Sequence, residues 1–204
     1  MFVTFEGIEG AGKSTQVKLL HDYLITTSIP FAIAREPGGT PLGERLREIL
    51  ADPHAIISAE AETLIFNASR AQLVADVIQP ALREGKLVVC DRFWDATLAY
   101  QGYARGLPLE EISRITAFAA RNLTPDLTFL LDIPASAIHE RLHGRRRGHD
   151  RMEREQLEFH ERVAEGYRHL AAAAPQRFVV LEGARPPEKI ANVVREKVLE
   201  RLHS

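Results

Sequence analysis

Eight consecutive residues near the start of the chain, Gly7-Ile8-Glu9-Gly10-Ala11-Gly12-Lys13-Ser14, fit the pattern G-x-x-x-x-G-K-[ST] at every fixed position. Their flanks fit as well. Phe2-Val3-Thr4-Phe5 reads as a strand of β-forming residues, and Thr15 to Leu24 reads as the start of a helix. Glycines let the backbone turn with positive φ and bring successive N–H groups around an anion. The helix that follows aims its free N–H groups and positive dipole end at the same place. Lys13 then supplies charge to the outer phosphates of a nucleotide, and Ser14 offers a hydroxyl to Mg²⁺, with Thr15 next to it. Chance supplies such a pattern in about one chain of this length per hundred, given glycine at about 7% of residues. The strand before and the helix after make an accident rarer still.

Apolar runs of strand length recur at 2–6, 31–35, 87–91, 127–132 and 177–181. The last four are each bounded by a break at Pro30, Gly85, Pro125 or Pro175. Helical stretches are expected between them at 13–27, 41–50, 59–84, 109–121, 134–144, 153–173 and 186–203. Alternating strands and helices imply an α/β fold, a five-stranded parallel sheet with helices on both faces. Leu87-Val88-Val89-Cys90 is apolar without alternation, as a strand covered on both faces requires. With the phosphate loop after the first strand, this is the P-loop NTPase architecture.

Ligands of open α/β sheets bind beyond the carboxyl ends of the strands. Arg35-Glu36, Asp91-Arg92 and Asp132 all stand at that edge. Asp91 is placed to serve Mg²⁺ with Ser14, and Arg92 beside it suggests a second anion close by. A nucleotide switch would normally read its base with Asn-Lys-x-Asp, and the three asparagines, Asn67, Asn122 and Asn192, form no such tetrapeptide. Asp132 could equally be a Walker-type acid or a packing residue.

Composition sets the remaining bounds. The 204 residues are 45% hydrophobic and 26% charged, with a formal net charge of −2. That is ordinary for one globular domain spanning 1–204, and it gives no global attraction to nucleic acid or anionic membrane. Cys90 is the only cysteine, so no internal disulfide forms. No apolar stretch approaches the roughly 18 residues of a bilayer span, and the first strand begins too early to leave room for a targeting peptide. A cytoplasmic location is expected. His21, His54, His139, His143, His160 and His169 show no metal-ligand spacing.

The blocks Phe5-Glu6-Gly7-Ile8-Glu9-Gly10-Ala11-Gly12-Lys13-Ser14-Thr15, Arg35-Glu36-Pro37-Gly38-Gly39-Thr40 and Asp91-Arg92-Phe93, with Ala99-Tyr100-Gln101-Gly102, resemble bacterial thymidylate kinases. Pro125-Asp126-Leu127-Thr128 and Arg151-Met152-Glu153 extend the likeness, which weakens beyond Tyr167. The resemblance implies a nucleotide kinase fold with a helical lid at about 142–153. It also implies transfer of the γ-phosphoryl group of ATP to thymidine 5′-monophosphate (dTMP), with Mg²⁺, in a homodimer packed through helices beside the acceptor site. The apolar residues between Leu64 and Val77 are candidates for that contact. The alternatives are a kinase for another nucleoside or monophosphate, and a nucleotide-dependent binding protein.

By resemblance, Glu9 contacts the acceptor 3′-hydroxyl and Arg92 its phosphate. Phe66 stacks on the base, and Arg70, four residues on, donates to O4 of thymine. Thr97 and Gln101 lie near the base edge, and Tyr100 crowds the sugar 2′ position. Arg35, Glu36, Arg47 and Tyr167 complete the acceptor site. Members of this family carry a catalytic arginine either inside the phosphate loop or on the lid. Gly10 holds the loop position here, so Arg145, Arg146, Arg147 and Arg151 are expected to supply the charge. The Glu182-Gly183-Ala184-Arg185 loop, with Arg185, is expected beside adenine.

Overall fold

The computed structural model describes residues 1–142, 151–152 and 155–203. In chain order the elements are β1 (Phe2–Glu6), α1 (Lys13–Leu24), β2 (Phe31–Arg35), α2 (Pro41–Ala51) and α3 (Ala59–Leu73). A π-helical turn (Val74–Ile78) leads into α4 (Gln79–Arg83), β3 (Leu87–Asp91) and α5 (Trp94–Thr97), which runs into a second π-helical stretch (Leu98–Ala104). Then come α6 (Leu109–Ala119), β4 (Leu127–Asp132), α7 (Ala137–Leu142), α8 (Leu157–Ala173), β5 (Phe178–Glu182) and α9 (Pro187–Leu202). The five strands form one parallel sheet in the order β2-β3-β1-β4-β5. β1 is central, with β3 on one side and β4 on the other, so the loop leaving it opens at the middle of the carboxyl edge.

Neighbouring side chains on each strand serve opposite faces. Val3, Phe5, Leu87 and Val89 join a cluster with Val17, Leu20 and Leu24 of α1 and Ile190, Val194 and Val198 of α9. Phe2, Val88 and Cys90 join another with Leu73, Val74, Ile78 and Ala81. Both faces are therefore covered, which is why these strands are apolar throughout. Fully burying each such side chain contributes about 1.5–3 kcal/mol. Polar exceptions are paired: Thr4 Oγ1 lies 2.9 Å from Thr128 Oγ1, and Phe2 N donates to Asp126 Oδ2 at 2.6 Å.

Four of the five strands fall where the sequence places them. The fifth begins one residue later, at Phe178, because Arg177 turns inward to pair with buried Asp95 at 2.7 and 2.8 Å. Helix α1 stops at Leu24, short of the expected Thr27. There Thr26 and Thr27 hydroxyls donate to the carbonyls of Tyr23 and Leu24 and cap the ladder. The expected helix 59–84 contains the π turn just before Pro80, whose missing N–H leaves the carbonyl four residues back without a donor. The helical stretch 94–104 was not legible. Most of its residues are buried, so no polar face alternates with an apolar one.

Candidate active site

The loop between β1 and α1 depends on glycine at close quarters. A Cβ on Gly7, whose φ is +138°, would stand 2.6 Å from the Leu131 carbonyl oxygen. Gly10 and Gly12 have φ of +73° and +99°, the left-handed region that side chains disfavour. Gly12 begins α1 with no side-chain cap and no acidic residue in the first turn, leaving that helix end suited to an anion. Lys13 Nζ donates to the Gly7 and Ile8 carbonyls at 2.9 and 2.8 Å. Burial, and then the positive charge of Arg92, push the Lys13 ammonium down to about 8.

Strand β3 delivers the next two groups. Asp91 Oδ2 accepts from Ser14 Oγ at 2.7 Å, placing two hard oxygens side by side. The chain then turns at Arg92 with φ +69°, which costs about 1–3 kcal/mol in a non-glycine residue. The Arg92 guanidinium donates to Glu9 Oε1 at 2.8 Å and to the Tyr100 and Tyr167 hydroxyls at 3.0 and 3.1 Å. It lies 4.9 Å from the centre of the Tyr100 ring.

Glu9 is held from three sides. Tyr100 donates to its Oε1 at 2.6 Å, and His160 Nδ1 approaches Oε2 at 3.3 Å. Burial alone would raise its carboxyl, but Arg92, His160, Lys13 and Tyr100 together hold it well below the usual carboxylate range. Glu6, one strand residue before the loop, accepts from Phe93 N and the Tyr167 hydroxyl, both at 2.7 Å. Burial and then the neighbouring Asp95 charge push Glu6 up to about 8.

The far end is built from α3 and the helical stretch 94–104. Arg70 is 1% exposed and donates to Glu36 Oε2, Asn67 Oδ1 and the Phe93 carbonyl at 2.8, 3.0 and 3.2 Å. Burial raises the Glu36 carboxyl against the pull of Arg70. Gln101 donates to buried Glu62 at 2.7 Å. A cavity of about 300 Å³ joins these parts, from Lys13, Ser14 and Asp91, past Glu9, Arg92 and Tyr100, to Phe66, Arg70, Thr97 and Gln101. Glu36, Arg35, Arg47 and Met152 also line it. The glycine-rich loop and a polar pocket with two aromatic side chains, Phe66 and Tyr100, thus share one space.

The family model for thymidylate kinase matches residues 5–194. The chain belongs to the thymidylate kinase family. It is 47% identical to a thymidylate kinase of Desulfovibrio desulfuricans, over 97% of this chain and 94% of the relative. A thymidylate kinase of Deinococcus radiodurans is also 47% identical, with 100% and 98% covered. The crystal structure of the thymidylate kinase of Ehrlichia chaffeensis superposes with a TM-score of 0.77 at 33% identity, covering 98% of each chain. The P-loop fold expected from the sequence is therefore that of a thymidylate kinase.

Several residues singled out from the sequence have protein partners of their own or lie outside the cavity lining. Tyr167 sits behind Arg92, buried and outside the cavity lining. Arg35 lines the rim but pairs with Glu44 at 2.8 and 2.9 Å, and Arg47 donates to the Pro37 carbonyl at 2.9 Å. Arg151 pairs with Glu62 at 2.5 Å and donates to the Leu50 carbonyl at 3.2 Å, at the acceptor end and not at the phosphate loop. Arg185 is exposed and held by Glu182 at 2.9 Å. Asp132 is taken by Arg168 at 2.9 and 3.0 Å, the packing reading. Arg145, Arg146 and Arg147, and most of the lid at 142–153, lie outside the described residues. In the apolar stretch 64–77, Leu73 and Val74 are core residues and Leu64 is exposed.

Glu6, Glu62, His160 and Arg141 have site-building roles that no pattern in the sequence gives them. Arg141 donates to the carbonyls of Gly10 and Gly183 at 3.3 and 3.1 Å, tying α7 to the phosphate loop. For Glu6 and Glu62 the available signal was position alone, a carboxylate in a strand of buried residues and one in the first turn of α3. Among the described residues, no group of three or more His, Cys, Asp or Glu could hold a metal, and no helix is long and apolar enough to cross a membrane.

Proposed function

We propose that this cavity transfers the γ-phosphoryl group of ATP to thymidine 5′-monophosphate, giving the diphosphate and ADP. The observation that carries the reading is the position of Arg92, between the Lys13 loop and the Arg70–Gln101 pocket in one continuous space. Two anionic groups must meet in such a reaction, and phosphoryl transfer asks the protein mainly for positioning and charge neutralisation.

The amides of Gly7 to Ser14 and the Lys13 ammonium hold the ATP phosphates. Ser14 and Asp91 fit Mg²⁺, since both offer hard oxygens 2.7 Å apart beside the loop. When bound, the ion neutralises charge on the β- and γ-phosphates. Arg92 holds the acceptor 5′-phosphate, and Glu9, fixed as a carboxylate, accepts from the sugar 3′-hydroxyl. Tyr100 limits the space beside the sugar. Phe66 stacks on the base, Arg70 donates to it, and Thr97 and Gln101 meet its edge. Arg145, Arg146 and Arg147 supply charge to the transferring phosphoryl group, a role supported by Gly10 at the loop position where other members carry arginine, whereas Arg151 is held at the acceptor end by Glu62. The adenine lies toward Arg185 and Arg141.

A second copy of the chain packs on α3 and α6, in the cytoplasm. This is supported by Leu64 at 56% exposure and by Ile115 and Phe118, at 37% and 87%, on two helices that pack together.

The test is a coupled assay of ADP release with ATP, Mg²⁺ and a panel of monophosphates. Thymidylate is expected to be the best acceptor, deoxyuridylate weaker and cytidylate negligible. ADP release independent of any acceptor, or a preference for cytidylate, would contradict the reading.

A further inference from the structure

Glu62 does not line the cavity, yet it is among the most heavily engaged carboxylates near it. It is 0% exposed, in the first turn of α3. Its Oε1 accepts from Gln101 Nε2 at 2.7 Å and from Arg105 Nε at 3.3 Å. Its Oε2 accepts from Arg105 Nη2 at 3.3 Å and pairs with Arg151 Nη1 at 2.5 Å. Arg105 is itself held by Glu155 at 2.6 Å and lies 4.5 Å from the centre of the Phe159 ring. Two guanidinium groups thus keep a buried carboxylate in place against one amide.

That arrangement decides which way the amide faces. An ionised carboxylate only accepts, whereas a glutamine carries a donor and an acceptor that exchange places by a half-turn of the amide. Gln101 must therefore give its N–H to Glu62. Its carbonyl oxygen is left as the group offered to the cavity, which Gln101 lines. Thymine and uracil carry an N–H at N3, beside the O4 acceptor. Cytosine carries a lone pair at N3, beside an amino donor. An acceptor from Gln101 next to a donor from Arg70 complements the first pair and opposes the second.

We infer that Glu62 is a specificity-determining positioning residue, fixing the Gln101 amide so that the acceptor site takes pyrimidines with an N3 proton. The inference rests on the proposed placement of the acceptor base against Gln101. Glu62 touches no substrate and acts through Gln101.

The experiment is the ratio of kcat/KM for thymidylate over deoxycytidylate, measured on the full chain with ATP in excess. Glu62→Gln supplies either a donor or an acceptor, which frees the Gln101 amide to turn. The ratio is expected to fall about tenfold or more, one mismatched base contact, with KM for ATP within about twofold. Glu62→Asp, which keeps an acceptor-only group, is expected to recover part of the ratio. A merely structural role would lower activity with both nucleotides in proportion and leave the ratio unmoved. That result would overturn the inference. Should Glu62→Gln not fold, the double variant Glu62→Gln with Arg105→Gln removes the charge together with one of its cations, and the same fall is expected. Gln101→Leu separates the two levels. A ratio lost in Gln101→Leu but intact in Glu62→Gln overturns the role of Glu62 alone. A ratio intact in both overturns the placement of the base as well.

Discussion

Arg92 and Glu9 meet at 2.8 Å, and Tyr100 is hydrogen-bonded to both of them. The pair comes from two different strand ends and sits midway along the cavity. Because Glu9 is held well below the usual carboxylate range, it stays charged throughout any practical assay, and no limb of the pH–rate profile should belong to it. Glu9→Gln removes the charge that orients Arg92 and is expected to raise KM for thymidylate about tenfold, the worth of one charge-assisted hydrogen bond, while KM for ATP changes little. An unchanged thymidylate KM would place Glu9 outside the acceptor site.

Lys13 gives a prediction in pH. Its ammonium is pushed down to about 8 in the ligand-free protein by burial first and by Arg92 second. ATP phosphates favour the protonated form and so raise that value again. About half the molecules lack the proton at pH 8, so ATP binding there should take up a fraction of a proton at Lys13, a contribution that vanishes at pH 6 where Lys13 is already protonated. ATP affinity should correspondingly fall as pH rises through 8. Calorimetric titration in two buffers of different ionisation enthalpy measures the uptake. Lys13→Arg, charged at every pH used, should show none; uptake that persists in this variant would assign the proton to another group.

The buried Arg70–Glu36 pair and the exposed Arg35–Glu44 pair should answer very differently to truncation. Both Arg70 and Glu36 are almost fully buried, so Glu36→Ala leaves an uncompensated guanidinium and is expected to cost about 3–5 kcal/mol in urea unfolding. Glu44→Ala, in the solvent-exposed pair, is expected to cost about 1 kcal/mol or less. Glu36→Ala should also weaken thymidylate, since Arg70 loses the partner that fixes its direction. Equal effects of the two substitutions would remove the structural role assigned to Glu36.

The sheet was legible because its strands are covered on both faces, which leaves apolar runs bounded by Pro30, Gly85, Pro125 and Pro175. The phosphate loop was legible because the backbone geometry at Gly7 and Gly12 admits few other residues. The helical stretch 94–104 was not, since burial all round erases the periodicity that marks a helix. The resemblance implies a place for Glu36 and Tyr167 in the acceptor site, and the fold adds what it could not, that Glu36 also fixes Arg70 and Tyr167 braces Arg92. Such supporting contacts join residues 34 and 75 positions apart, and no local pattern encodes them. Glu62 escaped for the same reason. In the sequence it is a first-turn acid on a helix, as many are, and only the fold brings Gln101, Arg105 and Arg151 to it.

The central claim is that one cavity holds two anions, the ATP phosphates on Lys13 and the acceptor phosphate on Arg92. Equilibrium dissociation constants for ATP and for thymidylate, measured separately on Lys13→Ala and Arg92→Ala, test it most directly. Arg92→Ala is expected to weaken thymidylate by about 10- to 100-fold, the loss of a charged hydrogen-bonding group, with ATP affinity within about threefold. Lys13→Ala is expected to do the reverse and to abolish transfer. If Arg92→Ala lost ATP and kept thymidylate, the two anion sites would be interchanged and the account would fail.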